Sequence, residues 1–301
     1  MSKNIQKFTS VFFALIVIVI VIGNYIIVAQ DSVSGTWTSE IKTEKPDEIH
    51  ISFERKTKRG KNQHGSNYQF SDFQGLSRER AQNGKANFSL VREAGTIEAT
   101  GEFSNGKGAG NFRFTPNKNF VGAMKTRGFD FEKPSKYDDD NEPENRIFSA
   151  ATLNVTTALA DDLLSANFGK LEIEDLFKAA IFKIDSKFMA EMKASGFPNL
   201  EMEDLVKARI FKIDTDFVRQ VVQMGFKADD FEDLVKMSIF KITPQFITET
   251  RNEGFANLDI EDLVKMKIFN IDAKFIREAH SEGVPLEVEK LVQKRLGVWR
   301  K

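Results

Sequence analysis

The chain has 301 residues, 41% hydrophobic and 29% charged, and its 43 basic residues nearly balance 44 acidic ones for a formal charge of -1. That length admits two domains with sizeable cores, and the near-zero charge supplies no global field favouring nucleic acid or an acidic membrane surface. The absence of cysteine excludes disulfides, thiolate metal sites, a cysteine nucleophile and a lipidated N-terminal cysteine.

In chain order, Lys3 and Lys7 precede an apolar run from Val11 to Ile22, then Gly23-Asn24-Tyr25 and a second apolar stretch ending at Ala29. The pattern is that of an export signal. The run Val11 to Ile22 suits a cleaved signal peptide, whereas the whole of 11–29 is long enough to remain as a signal anchor and attach the chain to a membrane. Residues 1–30 are therefore read as a signal peptide or signal anchor. Residues from 31 onward are expected outside the cytoplasm, periplasmic or at the cell surface, because the positive flank stays inside.

From Ser34 to Pro116 apolar and polar residues alternate and the helical period is missing. Gly35 to Thr38, Glu48 to Phe53 and Phe88 to Val91 read as strands, and Thr96 to Phe103 with Gly110 to Thr115 reads as a hairpin turning at Asn105-Gly106. About six strands in residues 31–116 predict a small antiparallel β-sandwich or partial barrel. The 28 Phe residues, against 3 Tyr and 2 Trp, are read as interior packing, and Trp37 as a core residue. Gly101 to Lys107 mimics a phosphate-binding loop, but Gly108 stands where Ser or Thr is needed and the flanks are strands instead of a helix. Arg55, Lys56, Lys58, Arg59 and Lys61, with His64, form a basic cluster between two strands. It is a candidate site for a phosphate or an anionic glycan, and the plainer reading is a solvated hairpin loop.

Beyond residue 117 a 29-residue period governs the sequence. Phe188, Phe217, Phe246 and Phe275 share one column, Gly196, Gly225, Gly254 and Gly283 another, and the pairs beginning at Glu174, Glu203, Glu232 and Glu261 a third. Ile181-Phe182, Ile210-Phe211, Ile239-Phe240 and Ile268-Phe269 complete the register, and such columns mark stacked repeats. Each unit reads as helix, turn, helix. Asp185, Asp214, Thr243 and Asp272 fall at N-cap positions of a first helix, which the Gly column ends in a left-handed conformation. The second helix is expected to bury Ile173, Leu176, Phe177 and Ile181 along one face. One such unit buries too little apolar surface to order itself, so stacking is obligatory. Asn119 to Phe129 with Ile147 to Thr156 reads as a first unit interrupted by an acidic insert at about 130–144, whose Asp138 to Glu142 lacks the Gly of a calcium loop. Val284-Pro285 and a one-residue deletion mark a terminal cap.

The three histidines, His50, His64 and His280, belong to no zinc-peptidase spacing, and no Gly-x-Ser-x-Gly elbow is present. Neighbouring carboxylates such as Glu203 and Asp204 point about 100° apart on a helix, and their place in its first turn matches the helix dipole. No catalytic residue, metal site or cofactor is assigned, and the chain is expected not to be an enzyme.

Residues 34–301 resemble the extracytoplasmic C-terminal region of bacterial membrane zinc peptidases of the beta-lactam-sensor, antirepressor type. The likeness lies in Phe73-Gln-Gly-Leu-Ser77, Arg92-Glu-Ala-Gly-Thr96, Gly108-Ala-Gly-Asn-Phe-Arg-Phe114 and the Gly-Phe and Glu-Asp-Leu-Val columns. The peptidase part of that family is missing here. The resemblance implies a free-standing sensor or partner-binding module of the cell envelope. The expectation is thus an α+β chain: a β-domain, then a helical array that binds a protein or peptide partner and no nucleic acid. The alternatives are a β-domain sensor of an anionic envelope ligand, with the repeats as spacer, and a hydrolase with an unrecognised site.

Overall fold

The computed structural model describes residues 33–42, 44–57, 60–133, 143–167 and 169–300. The expected signal or anchor segment, Lys58, Arg59 and the acidic run Asp138 to Glu142 lie outside the described residues. The chain is α+β, with seven strands followed by twelve helices among the described residues. Its contacts divide it into two compact units, Met1–Asp161 and Asp162–Lys301.

In the first unit the strands are β1 (Val33–Ile41), β2 (Glu48–Thr57), β3 (Gly60–Gln69), β4 (Phe73–Gln74), β5 (Gly84–Arg92), β6 (Gly95–Ser104) and β7 (Lys107–Pro116). They form one sheet in the order β3-β2-β1-β7-β6-β5-β4, with every neighbouring pair antiparallel. The two facing sheets of a sandwich are therefore set aside. The sheet curls strongly. A flat sheet would hold its end strands about 29 Å apart at the usual strand spacing, yet the Tyr68 ring on β3 lies 5.4 Å from the Phe73 ring on β4. Gly101 and Gly110 face each other across β6 and β7, and a Cβ on Gly110 would sit 2.0 Å from the Thr100 carbonyl oxygen, so this bend requires glycine. The expected hairpin turns at Asn105 and Gly106, with φ of 51° and 76°.

A helix takes the place of the second sheet. After α1 (Lys118–Thr126), α2 (Pro143–Thr152) packs on β1, β3, β6 and β7. Its Phe148 stacks on Phe112 at 5.3 Å and meets Phe114, Phe53 and His64 edge-on at 5.3, 6.1 and 5.8 Å. The Tyr68 hydroxyl donates to the Thr152 carbonyl at 3.2 Å. Trp37 closes another part of the core, donating to the Thr100 carbonyl at 3.1 Å and packing on Phe88 and Phe103. The sequence pattern changes at residues 116 and 117, while Phe148 packs α2 on the sheet and the first compact unit runs on to Asp161.

The second unit is helical throughout. Past α3 (Thr157–Ser165), one kind of helix is α5 (Ser186–Ala194), α7 (Thr215–Gln223), α9 (Pro244–Asn252) and α11 (Ala273–Ser281). Asp185, Asp214, Thr243 and Asp272 each accept a hydrogen bond from the backbone N–H of the Phe three residues on, at 2.8, 2.8, 3.2 and 2.8 Å. Each of these helices ends at a glycine with positive φ, 104° at Gly196, and the next N–H reaches back to the helix, as from Phe197 to the Met192 carbonyl at 3.2 Å.

The other kind is α4 (Ile173–Phe182), α6 (Met202–Ile210), α8 (Phe231–Ile239), α10 (Ile260–Ile268) and α12 (Val288–Arg295). Three neighbouring pairs of them pack together, α4 on α6, α8 on α10 and α10 on α12. Their buried residues include Leu176, Leu205, Leu234, Leu263 and Leu291, each at 0% exposure. Four end in the left-handed region on a residue that carries a Cβ: Lys183, Lys212, Lys241 and Asn270, with φ between 50° and 55°. That conformation costs roughly 1–2 kcal/mol per residue. It lets the following Ile184, Ile213, Ile242 and Ile271 turn back into the core, their N–H groups bonded to the helix at 3.0, 2.8, 2.9 and 2.8 Å.

Candidate partner-binding face

Three members of the basic cluster expected near residue 60 are among the described residues, and Lys58 and Arg59 are not. Arg55 and Lys56 belong to β2 and Lys61 to β3, so alternation sends Arg55 to the buried side while Lys56 and its register partner Lys61 remain exposed. Lys61 is already engaged, with its ammonium 2.7 Å from Glu54. His64 follows on β3 and is largely buried. Desolvation, assisted by the Arg55 charge, holds its pKa below the ordinary histidine value. His50 Nδ1 is 2.9 Å from the Asn67 side chain and His280 Nδ1 is 3.2 Å from the Val284 carbonyl. Among the described residues no group of three or more His, Asp or Glu side chains is placed to hold a metal ion.

The carboxylate pairs of the helical unit have specific partners. Asp175 and Asp204 accept from the backbone N–H of Glu172 and Glu201 at 2.8 and 3.1 Å, closing the first turns of α4 and α6. The companion glutamates reach a neighbouring helix. Glu203 binds Lys178, Glu232 binds Lys207, Glu261 binds Lys236 and Glu289 binds Lys265, the last at 2.6 Å. These carboxylates raise the pKa of Lys207 and Lys265, and of Lys236 together with Asp233, and Lys178 lowers that of Glu203. One ion-pair row thus clasps α4, α6, α8, α10 and α12 side by side.

A second row joins helices of the two kinds. The guanidinium of Arg209 lies over the Phe188 ring, the ammonium of Lys267 over Phe246 and the guanidinium of Arg295 over Phe275. Arg209 also donates to the Lys183 carbonyl at 2.7 Å, and Ser238 to the Phe211 carbonyl at 2.6 Å. These bonds satisfy carbonyls left free where α4 and α6 end.

Ile181, expected on the buried face of its helix, lies on the exposed side instead. Ile181, Ile210, Ile239 and Ile268 are 53%, 52%, 47% and 52% exposed. Helical geometry explains it. Ile173, Leu176 and Ala179 define the buried arc of α4, and at 100° per residue Ile181 lies about 140° from the middle of that arc. The inward role falls instead to Ala179 and its counterparts Ala208, Met237 and Met266. The four isoleucines form the most regular exposed apolar feature among the described residues.

No helix among the described residues is long and apolar enough to cross a membrane. No family model, curated protein or solved structure matches the chain.

Proposed function

We propose that the chain is a non-catalytic, exported envelope protein whose helical unit is an array of two-helix repeats, 29 residues apart, that recognises a protein or peptide partner. The observation that carries the reading is the clasp from Lys178, Lys207, Lys236 and Lys265 to the glutamate of the next helix of the same kind. A contact renewed at each step stacks like on like, and stacked helices create the extended surface that such arrays use for binding. The resemblance of residues 34–301 to a sensor-protein region, and the export pattern of residues 1–30, support placing that surface outside the cytoplasm.

The test is photo-crosslinking in the native envelope with the full chain. A crosslinker introduced on the α4 to α12 face is expected to capture one defined polypeptide, and a crosslinker on the sheet is not. Capture from the sheet alone would transfer recognition to the β-domain and overturn the reading.

A further inference from the structure

We propose, resting on that reading, that the Ile181, Ile210, Ile239 and Ile268 ridge is the docking site and that its occupant is an acidic, extended protein segment with an apolar side chain at every third residue. An isoleucine half open to water at the same place in four successive repeats leaves a row of apolar surface that burial would stabilise. Two residues past each of the first three stands an exposed lysine, Lys183, Lys212 and Lys241, with no ion pair among the described residues. Apolar knobs each followed, two residues on, by an exposed lysine call for an apolar ligand with negative charge.

The same lysines argue against a second copy of the chain, because facing rows would repel. An anionic bilayer is disfavoured by Glu203, Glu232 and Glu261, which are 56–62% exposed at the other end of the helices that carry Ile210, Ile239 and Ile268. A flat surface would meet both rows, whereas a narrow chain meets only one. Spacing sets the conformation. Helices packed side by side are about 8–10 Å apart, and three residues of polyproline-II chain advance about 9 Å with the same face returning.

The experiment follows a fluorescein-labelled fifteen-residue peptide, Glu-Glu-Leu repeated, by anisotropy with the full chain. Binding is expected, weakened at least tenfold by Ile210→Ser with Ile239→Ser, while circular dichroism stays unchanged. Lys212→Glu with Lys241→Glu is expected to abolish preference for this peptide and to favour a Lys-Lys-Leu counterpart. Equal binding of both peptides by the parent, parental affinity in either variant, or uptake of phosphatidylglycerol vesicles without the acidic peptide would overturn the proposal. Crosslinkers at Lys187 and Lys274, on helices of the other kind, separate the two levels. Envelope capture from those positions with a silent ridge rejects the ridge and keeps the array as a binder; no capture from any helix rejects both.

Discussion

The Arg209 guanidinium lies 3.7 Å from the centre of the Phe188 ring while its Nη2 donates to the Lys183 carbonyl at 2.7 Å. One side chain thus covers an aromatic residue of α5 and caps the left-handed end of α4. Arg295 repeats both contacts, over Phe275 and to the Asn270 carbonyl.

Removing that double contact should weaken the helical unit. A cation over an aromatic face contributes about 0.5–1 kcal/mol at partly exposed sites, and a charge-assisted hydrogen bond about 1.5–3 kcal/mol. Arg209→Ala is expected to lower stability by about 2 kcal/mol in urea unfolding, with Arg209→Lys losing less. No change for the alanine variant would show that the contact contributes nothing.

The sheet should depend on a residue far from it in sequence. Phe148 meets four aromatic side chains and is fully buried. Truncating a buried Phe costs about 3–5 kcal/mol. Phe148→Ala, in a Trp299→Phe background that leaves Trp37 as the reporter, should therefore lower the midpoint of the Trp37 fluorescence transition. An unchanged midpoint would mean that the sheet does not need α2.

Acid should act on the same core through His64. Its folded pKa lies below the unfolded value, by burial first and the Arg55 charge second. Between the two values the unfolded chain binds more protons, so stability falls as pH drops through that window and levels off below the folded pKa. His64→Phe should flatten this part of the stability profile. A parent profile already flat from the ordinary histidine value downward would contradict the assignment.

The clasp should behave as an exposed ion pair. Lys236→Glu places like charges opposite Glu261 and beside Asp233. The helical unit should then unfold at a lower temperature, Glu261→Lys in the same chain should recover part of the loss, and added salt should shrink the difference. Identical melting of the single and double variants would rule out a pairwise contact.

Much of this architecture is legible in the sequence because it is local. A cap at Asp214 needs only Phe217, and a helix end at Gly225 needs only a glycine. What escapes reading is set by distant residues. A hydrophobic Ile181 reads as inward until Ala179 and Ile184 are seen to occupy the core side. Nothing near Phe148 announces that it fills a sheet whose strands end thirty or more residues earlier. In the basic cluster, strand alternation turns Arg55 inward while Lys56 and Lys61, paired across β2 and β3, stay exposed, a division that the sequence order alone does not announce. The column Lys178, Lys207, Lys236 and Lys265 carries the same step as the glutamates it binds, and pairing those columns would have revealed the clasp.

The most direct test measures distances along the isoleucine ridge. Since the chain has no cysteine, spin labels attach only at introduced sites, and pulsed dipolar spectroscopy applies to Ile181→Cys with Ile239→Cys, Ile210→Cys with Ile268→Cys, and Ile181→Cys with Ile268→Cys. Stacked units separated by about 8–10 Å each give equal distances for the first two pairs and a distance about half as long again for the third. Unequal two-step distances, or a third no longer than the others, would contradict the stacked array.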